Sequence, residues 1–184
     1  MAQDRKLTNE RLSQLWQRND IEILETKGIK YAIFSDLHLG DGGSADDFIH
    51  NKETLETALT YYNRNGYNLI LLGDIEELWQ FDLEQVINKY NDSVYKKMRD
   101  FGNARVYRVY GNHDYEWCSP DDPAMKNPEK HKGAPEALKM KDSNSETKIL
   151  LVHGHQGSID SDKNSWISRF LVRGCLLYTS PSPR

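Results

Sequence analysis

The sequence predicts an α/β fold whose sheet is covered on both faces. Four short apolar segments rich in strand-forming residues occur along the chain, and helical or loop segments separate most of them. Apolar runs without polar alternation are typical of strands in the interior of α/β proteins. Each run also leads into residues that can bind a metal. The four segments are YAIF at 31–34, NLILL at 68–72, RVYRVY at 105–110 and KILLVH at 148–153.

Composition limits the class of protein. The chain has 184 residues, of which 38% are hydrophobic and 28% charged, which fits one globular domain. The formal net charge of -4 gives no broad positive field, so we expect no nucleic-acid partner, although local basic patches stay open. The apolar runs are too short to span a membrane and the N-terminus is charged throughout, so we expect no transmembrane segment, no signal peptide and a cytoplasmic location.

The first element in the chain is an amphipathic helix. Leu12, Leu15 and Trp16 have helical spacing and predict a helix over 7–18, with Thr8 as its N-cap. We expect this helix to pack in front of the domain, and we assign 1–28 to an N-terminal helical extension.

Helices are also predicted between the apolar segments. One covers 54–65 and stops at Asn65-Gly66, and another covers 83–99. The stretch 118–144 is rich in proline and charge, so it predicts a long excursion with a short helix at 135–140. An excursion of this length is either a lid over a substrate or a mobile loop.

The end of the chain differs in character from the rest. The segment SWISRFLVR at 165–173 predicts a helix, whereas the Ser/Pro-rich residues 175–184 cannot continue it. The string CLLYTSPSPR resembles a translated sequencing adapter, so we expect the natural reading frame to be interrupted after Gly174. We therefore assign 29–174 to the first part of the main domain and 175–184 to a tail that is not native.

Candidate metal ligands follow every one of the four predicted strands. In open α/β sheets, sites form in the crevice outside the carboxyl ends of the strands, so these residues are expected to converge. Carboxylate, amide and imidazole donors together suit Mn, Fe, Zn or Co better than Ca. Glycines at 73, 111 and 154 would let the backbone come close to the ions. The candidates are Asp36, His38, Asp74, Asn112, His113 and His153.

The motifs SDLHLGD, LILLGDIEELW, VYGNHDYEW and LLVHGHQG resemble successive blocks of the calcineurin-like metallophosphoesterases over about residues 30–174. The resemblance implies a layered sheet sandwich with flanking helices and a centre of two divalent ions, with Mn favoured over Fe, Zn, Co or Mg. It implies that Asp36 and His38 bind the first ion, that Asp74 bridges, and that Asn112 and His153 bind the second. It also implies that His113 is the catalytic imidazole and that Asp114 orients it.

One block of the family pattern is missing. The family ends its site with a G-H-x-H block, and after Gly154-His155 the chain has Gly157 where the second histidine would stand. We therefore expect the C-terminal strands and the last ligands to be absent, and this chain to bind metal weakly and to be inactive. Within the family, the GDIEELW and HGHQG segments are similar to the branch of UDP-2,3-diacylglucosamine pyrophosphatases and their unassigned bacterial relatives.

For the parent protein, the resemblance implies metal-dependent hydrolysis of a phosphomonoester, phosphodiester or pyrophosphate bond in a small phosphorylated substrate. A nuclease on the same scaffold and a non-catalytic interaction module are the alternatives. Glu76 and Glu77 either add negative charge behind the metal ligands or are solvated carboxylates at a helix start. Arg169 and Arg173 are candidates for contacting an anionic substrate. The oligomeric state is not indicated by the sequence.

Overall fold

The computed structural model describes residues 2–118, 133–143 and 148–156. The α-helices in these ranges are α1 (Ala2–Gln17), α2 (Lys52–Arg64), α3 (Leu83–Tyr90) and α4 (Lys96–Arg99). The strands are β1 (Ile23–Glu25), β2 (Tyr31–Phe34), β3 (Asn68–Leu72), β4 (Val106–Val109), β5 (Ala137–Lys141) and β6 (Lys148–Val152). A π-helical turn (Asn91–Tyr95) joins α3 to α4, and single 3-10 turns occur at Asp47–Asn51, Asn103–Arg105 and Tyr115–Cys118.

The first sheet is parallel and has the order β2-β3-β4. Helix α2 connects β2 to β3, and the α3–α4 segment connects β3 to β4, which is the arrangement that parallel neighbours require. Gly66 has φ 71° just after α2, so the predicted stop at Asn65-Gly66 is confirmed. The predicted helical segment 83–99 is also confirmed, with the π turn inside it.

The second sheet has the order β1-β5-β6, in which β1 is parallel and β6 antiparallel to β5. It packs on the first sheet through Ile70 and Val109 on one side and Leu138 and Met140 on the other. Leu69, next to Ile70 in β3, points to the opposite face and packs against the helices. Alternate residues of β3 therefore serve two different cores, which explains the continuous apolar sequence of that strand.

Helix α1 covers the outer face of the second sheet. Leu15 and Ile21 pack with Ala137 at the start of β5. Arg11 in α1 makes a bidentate ion pair with Glu136, with N···O distances of 2.9 and 2.8 Å. The layers are thus helices, sheet, sheet and helix, and the predicted sandwich with flanking helices is confirmed.

Two local predictions are wrong. The segment predicted as a helix at 135–140 forms β5, because strands on both sides pair with it. Helix α1 begins at Ala2, so Thr8 lies inside the helix and is not its N-cap. In addition, the stretch 1–28 contributes β1, which pairs with β5 in the second sheet.

In the described ranges, no helix has the length and apolar character needed to cross a membrane. Several sequence predictions lie outside these ranges. They are the helix at 165–173 with Arg169 and Arg173, the tail at 175–184, and the central part of the excursion at 119–132.

Candidate metal centre

The loops that follow β2 and β3 run side by side at the carboxyl edge of the first sheet. The amide of Asp36 donates to the carbonyl of Gly73 at 3.2 Å, and the amide of His38 donates to the carbonyl of Asp74 at 3.0 Å. Leu39 and Glu76 then form an isolated parallel bridge. The pairing of the two strands thus continues in irregular form through the loops, and it fixes Asp36, His38 and Asp74 relative to each other.

These same three residues have an unusual backbone. Among the described residues, the only non-glycine positions with positive φ are Asp36, His38 and Asp74, at 53°, 50° and 52°. The left-handed region costs an ordinary residue about 1–3 kcal/mol and persists only where the surroundings enforce it. Three such residues in two adjacent loops indicate that the loops are built to present side chains rather than to be as stable as possible.

The candidate ligands converge in two groups that share one residue. One possible ligand atom each from His38, Asp74 and His113 lie within 4.8 Å of one another, and the same holds for Asp36, Asp74 and His153. His153 comes from the second sheet, and its Nε2 is 3.1 Å from Oδ2 of Asp74. The shared position of Asp74 is the one that a carboxylate bridging two ions would occupy. The grouping differs from the family assignment, which places Asp36 and His38 on one ion.

Two glycines make room for these side chains. A Cβ on Gly73 would lie 2.5 Å from the ring of His153, and a Cβ on Gly111 would lie 2.1 Å from Oδ1 of Asp74. From the sequence, glycines 73 and 111 are expected to let the backbone approach the ions. In the structure, they instead leave room for the side chains of His153 and Asp74. Gly154 has φ +110°, and no atom of the described residues would lie within 4 Å of a Cβ at this position.

Glu77 connects the two imidazoles of the first group, those of His38 and His113. His38 Nδ1 and His113 Nδ1 each donate a hydrogen bond of 2.8 Å to a different oxygen of its carboxylate. With Nδ1 of each ring committed to Glu77, the Nε2 atoms of both rings face away from it. Glu77 is buried, so the reading of a solvated carboxylate at a helix start is wrong.

The pKa values show how the buried charges balance. Burial raises the pKa of Glu77, but hydrogen bonds from His113 and His38 outweigh it and hold the pKa at about 2. Burial lowers the pKa of His153, but the contact with Asp74 outweighs it and raises the pKa to about 9. The hydrogen bond to Glu77 likewise raises the pKa of His38. Positive charge is thus strongly favoured among these carboxylates, and a divalent cation fits that demand by displacing the imidazole protons.

Trp79, His38 and Glu77 hold the ring of His113 from three sides. Trp79 stacks on it with ring centroids 3.8 Å apart and an angle of 17° between the planes, and His38 meets it edge-on at 4.7 Å. Nε1 of Trp79 also donates to the carbonyl of Asn112 at 2.9 Å. Trp79 therefore fixes Asn112 and His113, a role that is not apparent from the sequence alone. Glu77 occupies the position behind the candidate ligands that was one of its two predicted alternatives.

Asp114 has a different position from the one expected. Its carboxylate accepts hydrogen bonds from the amides of Gly111 and Ile75 at 2.6 and 3.0 Å, and from Arg108 at 3.0 Å. Glu77, rather than Asp114, bonds the His113 ring. Asp114 therefore fastens the two ligand loops together.

A cleft of about 300 Å³ opens beside the candidate ligands. Its lining includes Asp36, His38 and Glu77 of the candidate site together with Asn51, Gln80 and Phe81. His155 lies next to the site, with its ring centroid 5.6 Å from that of His153.

The family model of the calcineurin-like phosphoesterases matches residues 29–173. No curated protein and no solved structure matches the chain.

Proposed function

Because the chain belongs to the calcineurin-like phosphoesterase family, we propose that its parent protein hydrolyses a phosphoester or phosphoanhydride bond with two divalent metal ions. The observation that carries the proposal is the position of Asp74, which is common to both groups of candidate ligands. The left-handed backbone of Asp36, His38 and Asp74 and the space left by Gly73 and Gly111 support it.

The donor set fits divalent transition metals. Asp36 and His38, Asp74 as the bridge, and Asn112 and His153 would hold the ions, with Mn favoured over Fe, Zn, Co or Mg. When bound, such ions supply the charge that activates a water molecule and clamps the phosphate oxygens. The donor set is the same for monoester, diester and pyrophosphate cleavage, so the bond type stays a prediction, as does the branch of UDP-2,3-diacylglucosamine pyrophosphatases.

A residue of this chain would donate the proton that the leaving oxygen requires. His113 is the catalytic imidazole, with Nδ1 bonded to Glu77 and Nε2 directed away from it. The carboxylate at Nδ1 fixes the orientation of the ring, and Nε2 is the atom that would donate to the leaving oxygen or to a phosphate oxygen. Asp114 contributes by holding the loop that carries His113. The cleft beside Asp36 would receive the rest of a small phosphorylated substrate. The cytoplasmic location stays a prediction from the sequence.

The test compares the 184-residue chain with a chain extended through the natural reading frame, because the 184 residues contain no G-H-x-H block. Both are loaded with Mn²⁺ and assayed on p-nitrophenyl phosphate and bis(p-nitrophenyl) phosphate. We expect the extended chain to hydrolyse at least one of them, and Asp74→Ala to lose at least 100-fold of the rate, by the usual scale for losing a catalytic group. Asp92→Ala removes an exposed carboxylate that belongs to neither group of candidate ligands and is the matched control.

Two outcomes would contradict the proposal. Hydrolysis that is equal in wild type and Asp74→Ala would show that another site or a contaminant is responsible. If the extended chain binds metal but hydrolyses neither compound with any of Mn, Fe, Zn, Co or Mg, the fold serves as a non-catalytic interaction module instead.

A further inference from the structure

A buried cluster of charges lies beneath the two ligand loops. Arg108 in β4 directs Nη2 to Asp114 at 3.0 Å and also to the carboxylate of Glu76. Its guanidinium lies 4.0 Å over the ring of Trp117. The side chains of Glu76 and Asp114 are completely buried, and that of Arg108 is mostly buried. A cation in this position holds two carboxylates that have no access to water.

The other members of the cluster fix Glu76. The hydroxyl of Tyr95 donates to one of its oxygens at 2.7 Å, and Nε1 of Trp117 donates to the other at 2.8 Å. Burial lowers the pKa of Arg108, but Glu76 and Asp114 outweigh it and raise the pKa above its ordinary value. Arg108 is therefore charged, and one cation faces two acidic groups.

Asp114 connects this buried cluster to the loops that carry the candidate ligands. The amide of Ile75, which it accepts at 3.0 Å, belongs to the residue directly after Asp74. The amide of Gly111, which it accepts at 2.6 Å, belongs to the residue directly before Asn112. The amide of His113 in turn donates to Oδ1 of Asp74 at 2.8 Å. Asp114 thus ties the loop after β3 to the loop after β4 at the point where the amide of His113 donates to the carboxylate of Asp74.

We propose that Arg108 is a positioning residue that sets the metal affinity of the centre, although none of its described contacts is with a candidate ligand. The inference rests on the proposed metal centre. Without Arg108, the carboxylates of Asp114 and Glu76 would be buried side by side without the guanidinium that holds them, and their repulsion would displace Asp114. Displacement of Asp114 weakens its hydrogen bonds to the amides of Ile75 and Gly111 and alters the spacing between Asp74 and Asn112.

The test uses the 184-residue chain and needs no catalysis. Arg108→Met removes both the charge and the two-sided geometry, whereas Arg108→Lys keeps the charge. The matched control is Arg105→Met, because Arg105 is a partly buried arginine next to the other end of β4, where it bonds Asn63 and Tyr67. Co²⁺ binding is measured by calorimetry and by the absorption spectrum of the bound ion, and stability is measured by urea unfolding.

We expect Arg108→Met to weaken Co²⁺ binding by roughly 10–100-fold, the range for outer partners of metal ligands, and to change the Co²⁺ spectrum. Arg108→Lys should fall between it and the wild type. Arg105→Met should bind as the wild type does, even where it lowers the urea midpoint. A purely structural role of Arg108 would lower the midpoint without changing the affinity or the spectrum of the folded protein.

Other outcomes would overturn the inference. Unchanged affinity and spectrum in Arg108→Met would do so, and so would equal losses in Arg108→Met and Arg105→Met. If Arg108→Met does not fold, Arg108→Lys decides, and wild-type affinity in that variant with a wild-type spectrum would contradict a role for the guanidinium geometry. A wild-type chain that binds no Co²⁺ would overturn the proposed metal centre itself and this inference with it.

Discussion

At the residue scale, Trp79 lies where its fluorescence would report an ion bound at the candidate centre. Its indole is stacked on His113, and its Nε1 holds the carbonyl of Asn112. A paramagnetic ion bound beside His113 would therefore lie close to the indole. Trp16, by contrast, is 44% exposed and belongs to α1 on the far side of the second sheet.

We predict that Co²⁺ quenches the tryptophan fluorescence of the wild type and that Trp79→Phe removes most of this quenching. Trp16→Phe is the control and should keep it. The replacement of Trp79 should also lower the free energy of unfolding by about 1–3 kcal/mol, because the partly buried carbonyl of Asn112 loses the indole donor. Full quenching in Trp79→Phe, measured by titration at equal protein concentration, would contradict the position of the ion.

The candidate ligands could be predicted from the sequence because each follows an apolar run. Asp36 and Asp74 come two residues after such a segment, His153 ends one, and strand ends meet at one edge. The roles of Trp79 and Arg108 could not be predicted, because they depend on which side chains face each other between loops. Periodicity describes one segment at a time and carries no information on those pairs.

At the scale of secondary-structure elements, α1 is joined to the sandwich by a small apolar contact. Leu15 is 1% exposed and packs with Ile21 and Ala137, whereas Leu7 in the same helix is 39% exposed. The two leucines therefore differ in burial while they share the same helix.

We predict that Leu15→Ala lowers the free energy of unfolding by about 2–5 kcal/mol, because it removes a buried side chain and leaves a cavity. Leu7→Ala should change it by less than about 0.5 kcal/mol. Urea unfolding followed by circular dichroism measures both. Equal effects of the two substitutions would mean that α1 is not packed on the second sheet in solution.

β5 shows why a short segment is hard to predict. Its sequence ALKMK consists of residues that favour helices, and local preference alone supports the helix predicted at 135–140. In the structure, pairing with β1 and β6 outweighs that preference, and Leu138 and Met140 enter the core between the sheets. β1 has three residues and no pattern of its own. Both strands are defined by contacts with distant segments.

At the scale of the whole molecule, the candidate centre joins the two sheets. Asp36 and Asp74 follow strands of the first sheet, and His153 follows β6 of the second. Ions bound between them would contact both layers in the folded chain and have no such site in the unfolded chain. Metal binding should therefore stabilise the whole sandwich.

We predict that Mn²⁺ at 100 times its dissociation constant adds about 2.7 kcal/mol to the free energy of unfolding. For a chain of this length that corresponds to a rise in Tm of roughly 5–11 °C. Calorimetry with Mn²⁺ and with a chelator measures the shift. Asp74→Ala should show none of it, and a shift of equal size in that variant would mean that the ion binds elsewhere.

Because the candidate ligands come from both sheets, the geometry of the centre also depends on how the two sheets pack. Ile70 of β3 and Leu138 of β5 separate the sheets well below the ligands. A change in the volume of either side chain would tilt one layer against the other and move His153 relative to Asp74. Substitutions in this buried contact between the sheets, remote from any substrate, would then change the affinity for metal as finely as substitutions of the ligands themselves.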